Sequence, residues 1–271
     1  MWPTQPTNPA EIYEQYFVPA MFRPWADVLL RHAGLRAGDR LLEVACGTGV
    51  VARQAASLVG VDGSVVAMDT NRAMLGVARS LPAPSGPTID WREANAMALP
   101  FKDGAFDAVL CQHGLQFFPD RALALREMHR VLAPGGQASC IVLQSLVKHP
   151  VFEALMESVA RQLAMPLSAV MTPFALEDAD ELRTLFTTAG FKNVKIVPES
   201  ISARFPQPAR FVALAVMSSA AAIPAFASLE APERASLLDR VGEEIAPVLQ
   251  RYREADAIVF PMYANVAVAH R

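Results

Sequence analysis

The sequence has few cysteines and no concentration of charge of either sign. Its three cysteines, Cys46, Cys111 and Cys140, lie far apart among 271 residues and form no Cys-x-x-Cys pair. This spacing suits neither a zinc knuckle nor a disulfide framework, and it favours a reducing, cytoplasmic location. The net charge is −3 and no run of Lys or Arg occurs. We therefore expect no nucleic-acid partner, because phosphate neutralisation requires a concentrated positive surface.

The sequence also has little that indicates export or membrane insertion. Its first residues lack a basic segment followed by an apolar one, so no secretion signal is predicted. Residues 211–229 are uncharged and long enough to span a bilayer. They are rich in Ala and Ser, contain Pro224 and have no aromatic belt or flanking basic cluster. We expect buried cap helices there, and no stable membrane insertion.

Apolar runs alternate with helical patterns between residues 38 and 145, which is typical of repeated βα units and a parallel sheet. Strands are predicted at residues 40–44, 64–68, 88–92, 106–111 and 137–143, and helices at 50–58, 72–79 and 120–132. Further helices are predicted at 151–164, at 178–189 and, two or three of them, across 208–252. Extended segments at 194–205 and 258–270 predict an antiparallel pair at the sheet edge.

A glycine-rich loop separates the first predicted strand from the first predicted helix. Its sequence is Leu41-Leu-Glu-Val-Ala-Cys-Gly-Thr-Gly-Val50. Backbone N–H groups in such a loop can approach a ligand at the positive end of the following helix. Gly47-x-Gly49-x-x-Ala52 matches the dinucleotide fingerprint, and Asp69 follows at the distance where a carboxylate binds ribose hydroxyls. The loop alone is compatible with NAD and with other adenosine ligands.

Glu43 favours one class of adenosine ligand over the other. An acid at the end of the first strand would repel a pyrophosphate, but it suits a ligand with positive charge, such as S-adenosylmethionine. An NAD-dependent oxidoreductase is therefore the less favoured alternative. A second alternative is that the glycine loop binds no ligand and serves only to pack the helix against the strand.

Five segments in order carry a family resemblance. They are Glu43-x-x-x-Gly-x-Gly49, Val65-x-Ala-Met-Asp69, Glu93-Ala-Asn-Ala-Met-Ala-Leu-Pro-Phe101, Phe106-Asp-Ala-Val-Leu-Cys-Gln-His-Gly-Leu-Gln-Phe-Phe118 and Glu127-Met-His-Arg-Val-Leu-Ala-Pro-Gly-Gly136. Together they resemble the class I S-adenosylmethionine-dependent methyltransferases, within them the ubiquinone/menaquinone-biosynthesis-type branch, which methylates many small molecules. The resemblance covers residues 11–145 closely and 146–271 loosely.

The resemblance implies an α/β fold: a doubly wound, Rossmann-like, mostly parallel seven-stranded sheet with an antiparallel last strand and inserted cap helices. A single methyltransferase domain would span residues 1–271. Its parts would be N-terminal lid helices (11–36), the cofactor-binding core (38–145), helical substrate caps (146–190 and 207–255) and edge strands (191–206 and 257–271).

The resemblance also implies which residues bind S-adenosylmethionine. Those that would hold the methionine portion and the ribose are Glu43, Ala45, Cys46, Gly47, Gly49 and Asp69. Those that would surround the adenine are Thr70, Met74, Asn95 and Ala96, and those on the sulfonium side are Cys111, Gln112 and Gln116. Tyr16 in the lid would contact the sulfonium or the substrate, with plain core packing as the alternative.

Two positions depart from the family pattern. Ala45 replaces the usual first glycine, which the turn tolerates if the φ angle there is negative. Asn95 replaces the usual aspartate; its carbonyl can still accept a hydrogen bond from the adenine amine, but without charge. We expect weaker cofactor binding from this change, and a loop-capping role for Asn95 is the alternative.

His113 is the candidate general base. It follows the fourth predicted strand, and histidine titrates near neutral pH. Hydrogen bonding to the cofactor and capping of the turn are the alternatives. No histidine pair has metal-ligand spacing, so no metal is expected.

We therefore expect SN2 methyl transfer from S-adenosylmethionine to O, N or C of a small, apolar or aromatic acceptor, with S-adenosylhomocysteine as product. The alternatives are a non-catalytic regulator that binds S-adenosylmethionine and, less favoured, an NAD-dependent oxidoreductase. A homodimer is compatible with the sequence.

Overall fold

A single eight-stranded sheet organises the computed structural model, which describes residues 8–218 and 223–271. The strands are β1 (Arg40–Val44), β2 (Ser64–Asp69), β3 (Ile89–Glu93), β4 (Phe106–Gln112), β5 (Leu132–Leu143), β6 (Lys192–Pro206), β7 (Arg253–Glu254) and β8 (Ala257–His270). Their order is β3-β2-β1-β4-β5-β8-β6, and the short β7 pairs with β8. The predicted seven strands are therefore present, with β7 in addition.

Strands β1 to β5 are parallel to one another, whereas β8 runs antiparallel to both β5 and β6. The strand order reverses at β1, whose neighbours are β2 and β4. In open α/β sheets, ligands bind beyond the carboxyl ends of the strands at such a switch point. The predicted mostly parallel, Rossmann-like fold is confirmed.

Helices cover both faces of the sheet and one end of it. They are α1 (Pro9–Ile12), a π-helix (Tyr13–Phe22), α2 (Arg23–His32), α3 (Val50–Val59), α4 (Arg72–Ser80), α5 (Arg121–Val131), α6 (Pro150–Gln162), α7 (Ala179–Thr188), α8 (Phe211–Ser218), α9 (Pro224–Ala227) and α10 (Ala231–Arg251). Side chains of Asn71, Asp120 and Asp178 accept hydrogen bonds from the first N–H groups of α4, α5 and α7. Such caps satisfy donors that have no partner within a helix, and they fix where these helices begin.

The predicted ends of strands and helices in the core lie within two residues of the observed ones, except at β5. There the sequence predicts a helix to residue 132, a turn at Pro134-Gly135-Gly136 and a strand from residue 137. The structure ends α5 at Val131 and pairs Leu132 with Phe106, followed by a register shift. A Cβ on Gly136 would lie 2.9 Å from the carbonyl oxygens of Ala133 and Asp107. The glycines therefore permit a bulged start of the strand.

The N-terminal segment differs from an ordinary amphipathic helix. Tyr13–Phe22 forms a π-helix of 10 residues that contains Pro19 and continues into α2. We call residues 9–32 the lid segment. Its inner side packs on β6 and joins the main hydrophobic core.

Aromatic rings fill the space between the sheet and the helices that follow β5. Phe205 stacks on Phe260 with ring centroids 5.6 Å apart, and Phe152 and Phe211 pack around them. Within the uncharged stretch 211–229, α8 is mostly buried, while residues 219–222 lie outside the described part. Its role as a substrate cap stays a prediction. Among residues 8–218 and 223–271, no helix is both long and apolar enough to cross a bilayer.

Candidate functional site

A cavity of about 630 Å³ lies beyond the carboxyl ends of the first four strands. Ala45, Thr70, Ala94 and His113, each directly after one of these strands, line it. The lid segment and the segments after β5 cover the other sides. We call this space the central cavity; its size is that of a small-molecule site.

The glycine loop leaves β1 with backbone angles that L-residues rarely adopt. Gly47 and Gly49 have φ of 55° and 81°, and Ala45 has φ of 57°. The condition that Ala45 adopts a negative φ is therefore wrong. The chain must turn sharply out of β1, and a left-handed alanine costs about 1–2 kcal/mol relative to the right-handed conformation.

Gly49 is required by its surroundings as well as by its φ angle. A Cβ there would lie 2.2 Å from Cη2 of Trp91, whose ring covers this turn. Gly49 is also the residue before α3, so Trp91 packs directly on the start of that helix. Neither Gly49 nor Cys46 lines the central cavity, whereas Ala45 and Gly47 do.

Asp69 joins the end of β2 to the glycine loop. One carboxylate oxygen accepts a hydrogen bond from the N–H of Gly47 and the other from the N–H of Asn71, both at 2.8 Å. Burial raises the pKa of Asp69, and backbone hydrogen bonds from Asn71, Gly47 and Thr70 oppose the rise. The carboxylate lines the cavity, and it keeps lone pairs that can accept hydroxyl groups.

Glu43 lies behind the loop and does not line the cavity. The side chain is buried, and its Oε2 atom accepts a 2.8 Å hydrogen bond from the N–H of Ala52 in the first turn of α3. Burial raises the pKa of Glu43 well above its usual range, while the bond from Ala52 lowers it. In the structure the carboxyl group holds the start of α3 against β1; its contact with a ligand stays a prediction.

The predicted adenine side is assembled at the cavity by the loops after β2 and β3. Thr70, Met74, Asn95 and Ala96 all line the space. The side-chain oxygen of Asn95 accepts a hydrogen bond from the N–H of Met97 at 2.9 Å. Asn95 thus makes the loop-capping bond that the sequence left open, and contact with adenine stays a prediction.

Tyr13, rather than Tyr16, is the lid tyrosine at the cavity. Tyr16 is buried, donates a 2.9 Å hydrogen bond to the carbonyl of Pro206 and packs against Phe205, as in the core-packing alternative. The hydroxyl of Tyr13 lies 3.7 Å from where a Cβ on Gly47 would stand. The sequence analysis missed Tyr13 because a π-helix turns each residue through a smaller angle than an α-helix.

The last residue of β4 and the segment after it supply polar side chains to the cavity. Gln112, His113 and Gln116 line it, whereas Cys111 is buried beside Cys140, its register partner in β5. The amide nitrogen of Gln112 donates a 3.0 Å hydrogen bond to the carbonyl of Phe22 in the lid segment. This bond connects the sheet to the lid.

His113 occupies a strained position in that segment. Its φ is 49°, its N–H donates to the carbonyl of Ile141 at 2.9 Å, and its ring packs edge-on against Phe22 and Trp25. Burial, and secondarily the neighbouring His149, lowers the pKa of His113 to about 3. The imidazole is therefore neutral at neutral pH and is a weak proton acceptor there.

The central cavity carries little charge. Of its lining residues, all within the described ranges, Asp69 is the single Asp, Glu, Lys or Arg. The described residues also contain no cluster of His, Cys, Asp and Glu that could hold a metal ion. The described lining therefore offers a ligand neutral polar groups, apolar surface and one carboxylate.

The sequence model of the ubiE/COQ5 methyltransferase family matches residues 17–201, more than half of the chain. A ubiquinone/menaquinone biosynthesis C-methyltransferase UbiE from Hahella chejuensis is 44% identical over 117 residues, which are 42% of this chain and 47% of that protein. A 2-phytyl-1,4-naphtoquinone methyltransferase from Synechococcus elongatus is 37% identical over 45% of this chain and 53% of that protein. The chain thus spans about half the length of these two relatives.

A demethylmenaquinone methyltransferase from Staphylococcus aureus (strain JH9) is 32% identical over 64% of this chain and 76% of that protein. Among solved structures, a methyltransferase-like protein (BH2331) from Bacillus halodurans superposes with a TM-score of 0.57 and 19% identity, over 90% of this chain and 97% of that one. The [4+2]-cyclase SpnF superposes with a TM-score of 0.53 and 21% identity, over 92% and 81%. At these identities the two structures show a shared fold and nothing about the reaction.

Proposed function

The chain belongs to the ubiE/COQ5 methyltransferase family, and from this membership we propose that it transfers the methyl group of S-adenosylmethionine to a small, largely apolar acceptor. S-Adenosylhomocysteine is the second product. The observation that carries the proposal is the central cavity, which has the glycine loop and Asp69 at one end and an apolar surface at the other.

The lining of the loop end fits an adenosine ligand. Ala45 and Gly47 present backbone to the cavity, and Asp69 presents a carboxylate whose free lone pairs suit two ribose hydroxyls. Met74 and Ala96 offer apolar contact to a purine. When bound, the cofactor supplies an activated methyl carbon on a positively charged sulfur.

The other end of the cavity fits a ring-shaped or chain-like apolar acceptor. Phe152, Leu155, Met156 and Met262 line it, and Phe17 of the lid segment faces the same space. Two relatives are methyltransferases of a phytyl-naphthoquinone and of demethylmenaquinone. We therefore propose a quinone-type aromatic molecule as the acceptor class.

In this proposal the protein positions the acceptor against the methyl group and excludes water from the site, and it does not act as the base that removes a proton. The lid segment and the described parts of the proposed caps (146–190, 207–218 and 223–255) cover the cavity and exclude water. The bond from Gln112 to Phe22 holds the lid against the strand end where the methyl group would lie. With its lowered pKa, His113 is a poor general base, so correct placement of an intrinsically nucleophilic acceptor supplies most of the rate. The proton that the acceptor loses on methylation then passes to solvent as the products leave.

We also propose a cytoplasmic location. Cys46, Cys111 and Cys140 are buried free thiols, although Cys111 and Cys140 are register partners on adjacent strands. A reducing environment keeps such a pair unbonded.

The test is binding followed by turnover. Calorimetry on the folded chain should detect S-adenosylmethionine and S-adenosylhomocysteine but not NAD. Incubation with S-adenosylmethionine and a panel of naphthoquinones, in reduced and oxidised form, should then give a methylated product and equimolar S-adenosylhomocysteine by mass spectrometry. Cofactor binding without transfer to any acceptor would favour the non-catalytic regulator, and binding of NAD alone would favour the oxidoreductase.

A further inference from the structure

One wall of the central cavity carries buried polar atoms that lack hydrogen-bond partners. Among the residues that the structure describes, none bonds the Oε1 atoms of Gln112 and Gln116 or either ring nitrogen of His113. The three residues are at most 9% exposed. An unpaired buried polar group costs about 1–3 kcal/mol, and native proteins seldom group several together. We call these three residues the 112–116 wall.

The bond to Phe22 fixes which atom of the Gln112 amide faces the cavity unpaired. Its amide nitrogen donates to the carbonyl of Phe22, which can only accept. The other atom of the amide is therefore the oxygen, and it presents an acceptor. A partner for Gln112 must donate a hydrogen.

His113 and Gln116 present further unpartnered acceptors on the same wall. Burial lowers the pKa of His113 to about 3, so one ring nitrogen carries a proton and the other is an acceptor. Gln116 adds a second amide oxygen. Acceptors therefore outnumber donors among the unpartnered atoms, and a ligand with hydroxyl groups complements them.

Charge limits the ligand further. A carboxylate or phosphate would meet amide oxygens, and the described lining of the cavity contains no Lys or Arg to neutralise it. A cationic group would lose its hydration without a carboxylate beside it, since the one lining acid, Asp69, belongs to the glycine-loop end. Burying a charge without a partner is far more costly than burying a neutral hydroxyl that is hydrogen-bonded.

We infer that the 112–116 wall selects an uncharged acceptor that carries hydroxyl donors on an apolar body, with Gln112 and Gln116 as specificity-determining residues. This inference rests on the proposed function, because it requires the cofactor at the glycine-loop end. It differs from the role implied by family resemblance, in which Gln112 and Gln116 lie on the sulfonium side.

The experiment compares three ring compounds of one skeleton on the full-length chain saturated with S-adenosylhomocysteine. They are 1-naphthol, which donates a hydrogen bond, 1-methoxynaphthalene, which does not, and 1-naphthoate, which is charged. Calorimetry should show 1-naphthol binding about tenfold tighter than 1-methoxynaphthalene, the size expected for one buried hydrogen bond. No binding of 1-naphthoate is expected.

Two variants test the residues themselves. Gln112→Met and Gln116→Met keep side-chain length but remove the amide, so each should reduce the roughly tenfold preference for 1-naphthol several-fold, as expected for a lost hydrogen bond. The preference is measured as the ratio of the two affinities, because Gln112→Met also removes the lid bond to Phe22 and can weaken the binding of both compounds. Gln54→Met is the matched control, because it also removes a buried unpartnered amide oxygen but outside the cavity.

The outcomes separate the inference from the proposed function. Equal affinities of the unmodified chain for 1-naphthol and 1-methoxynaphthalene would overturn the inference, as would an undiminished preference in both variants. Weaker S-adenosylhomocysteine binding in Gln116→Met, with the preference intact, would instead assign the wall to the cofactor and overturn the inference too. Failure of the unmodified chain to bind S-adenosylhomocysteine would overturn the proposed function.

Discussion

Ala45 and Gly114 lie in contact at the carboxyl ends of β1 and β4: a Cβ on Gly114 would stand 2.6 Å from the Cβ of Ala45. The same atom would stand 2.9 Å from Sγ of Cys111. Gly114 has φ of −105°, so it is needed for space and not for an unusual backbone conformation. The alanine at position 45 and the glycine at position 114 are therefore coupled.

We predict that Gly114→Ala lowers the free energy of unfolding by about 1–3 kcal/mol, as overpacking does in a dense core. Adding Ala45→Gly should recover part of this loss, because one of the two contacts is then removed. Urea unfolding of both single variants and of the double variant measures the coupling, expected at about 0.5–3 kcal/mol. Strictly additive effects would show that the two positions do not interact.

Ala45→Gly alone should stabilise the protein. Relief of the left-handed alanine exceeds the entropy that glycine adds to the unfolded chain, leaving a gain of about 0.5–1 kcal/mol. Ala73→Gly, on the exposed side of α4, is the control and should destabilise by about 0.5–1 kcal/mol. Thermal and urea unfolding measure both changes, and equal signs for the two variants would contradict the assigned φ of Ala45.

Asp69→Ala should weaken S-adenosylhomocysteine binding by about 1–3 kcal/mol, because it removes a charged acceptor from the cavity. Calorimetry measures the affinity. Asp62→Ala, at an exposed turn, should leave it unchanged. Asp69 also accepts hydrogen bonds from the N–H groups of Gly47 and Asn71, and Asp69→Asn removes the charge but keeps only one of these two bonds. Unchanged affinity in both Asp69 variants would exclude a role in binding.

Glu43 should make the stability of the ligand-free protein depend on pH. Burial raises its pKa in the folded protein well above the usual 4.5. The protonated form therefore contributes to the free energy of unfolding at low pH, and this contribution is lost as the pH rises from about 4.5 through the pKa of the folded protein. Each unit of pKa difference corresponds to about 1.4 kcal/mol. Glu43→Gln keeps an acceptor for Ala52 without the charge, and its stability relative to the unmodified protein should increase between about pH 5 and pH 8.

Urea unfolding across that pH range provides the measurement. Glu157→Gln, on the exposed side of α6, is the control and should show no such trend. A relative stability of Glu43→Gln that falls with rising pH would mean that the buried carboxylate is charged and stabilised by its surroundings.

Separate substitutions of the two lid tyrosines should distinguish a role in cofactor binding from a role in core packing. Tyr13→Ala should weaken S-adenosylhomocysteine binding by about 1 kcal/mol, since an aromatic face beside Gly47 is lost. Tyr16→Phe should leave that affinity unchanged and lower the free energy of unfolding by about 0.5–1.5 kcal/mol, because the bond to Pro206 is lost. Calorimetry and urea unfolding measure the two effects. Weaker binding in Tyr16→Phe with unchanged binding in Tyr13→Ala would show that Tyr16, and not Tyr13, contacts the cofactor.

The positions of the strand ends were predictable, and so were the cavity residues that follow them. Buried parallel strands are continuous apolar runs, and their ends are marked where Ala45, Asp69 and His113 stand. Side chains directly after adjacent parallel strands meet at one edge of the sheet. Thr70, Asn95 and Gln116, which the family resemblance implied as binding residues, line the central cavity, and their contact with a cofactor stays a prediction.

The direction of individual side chains was not predictable. Glu43 turns towards Ala52 because the first N–H groups of α3 need an acceptor, a demand that appears only once helix and strand pack. The π-helix places Tyr13 at the cavity, and hydrophobic periodicity cannot distinguish it from an α-helix over 10 residues. The bulge at Gly136 likewise depends on the carbonyl of Asp107 in the neighbouring strand.

Strand β8 has a consequence for how the chain acquires its shape. It lies between β5 and β6, both of which are synthesised before it, and it provides hydrogen bonds to both. On the ribosome, the open edges of β5 and β6 stay unpaired until residues 257–270 have emerged. Unpaired strand edges invite association with other chains, so this half of the sheet is prone to aggregation until β8 has paired with both neighbours.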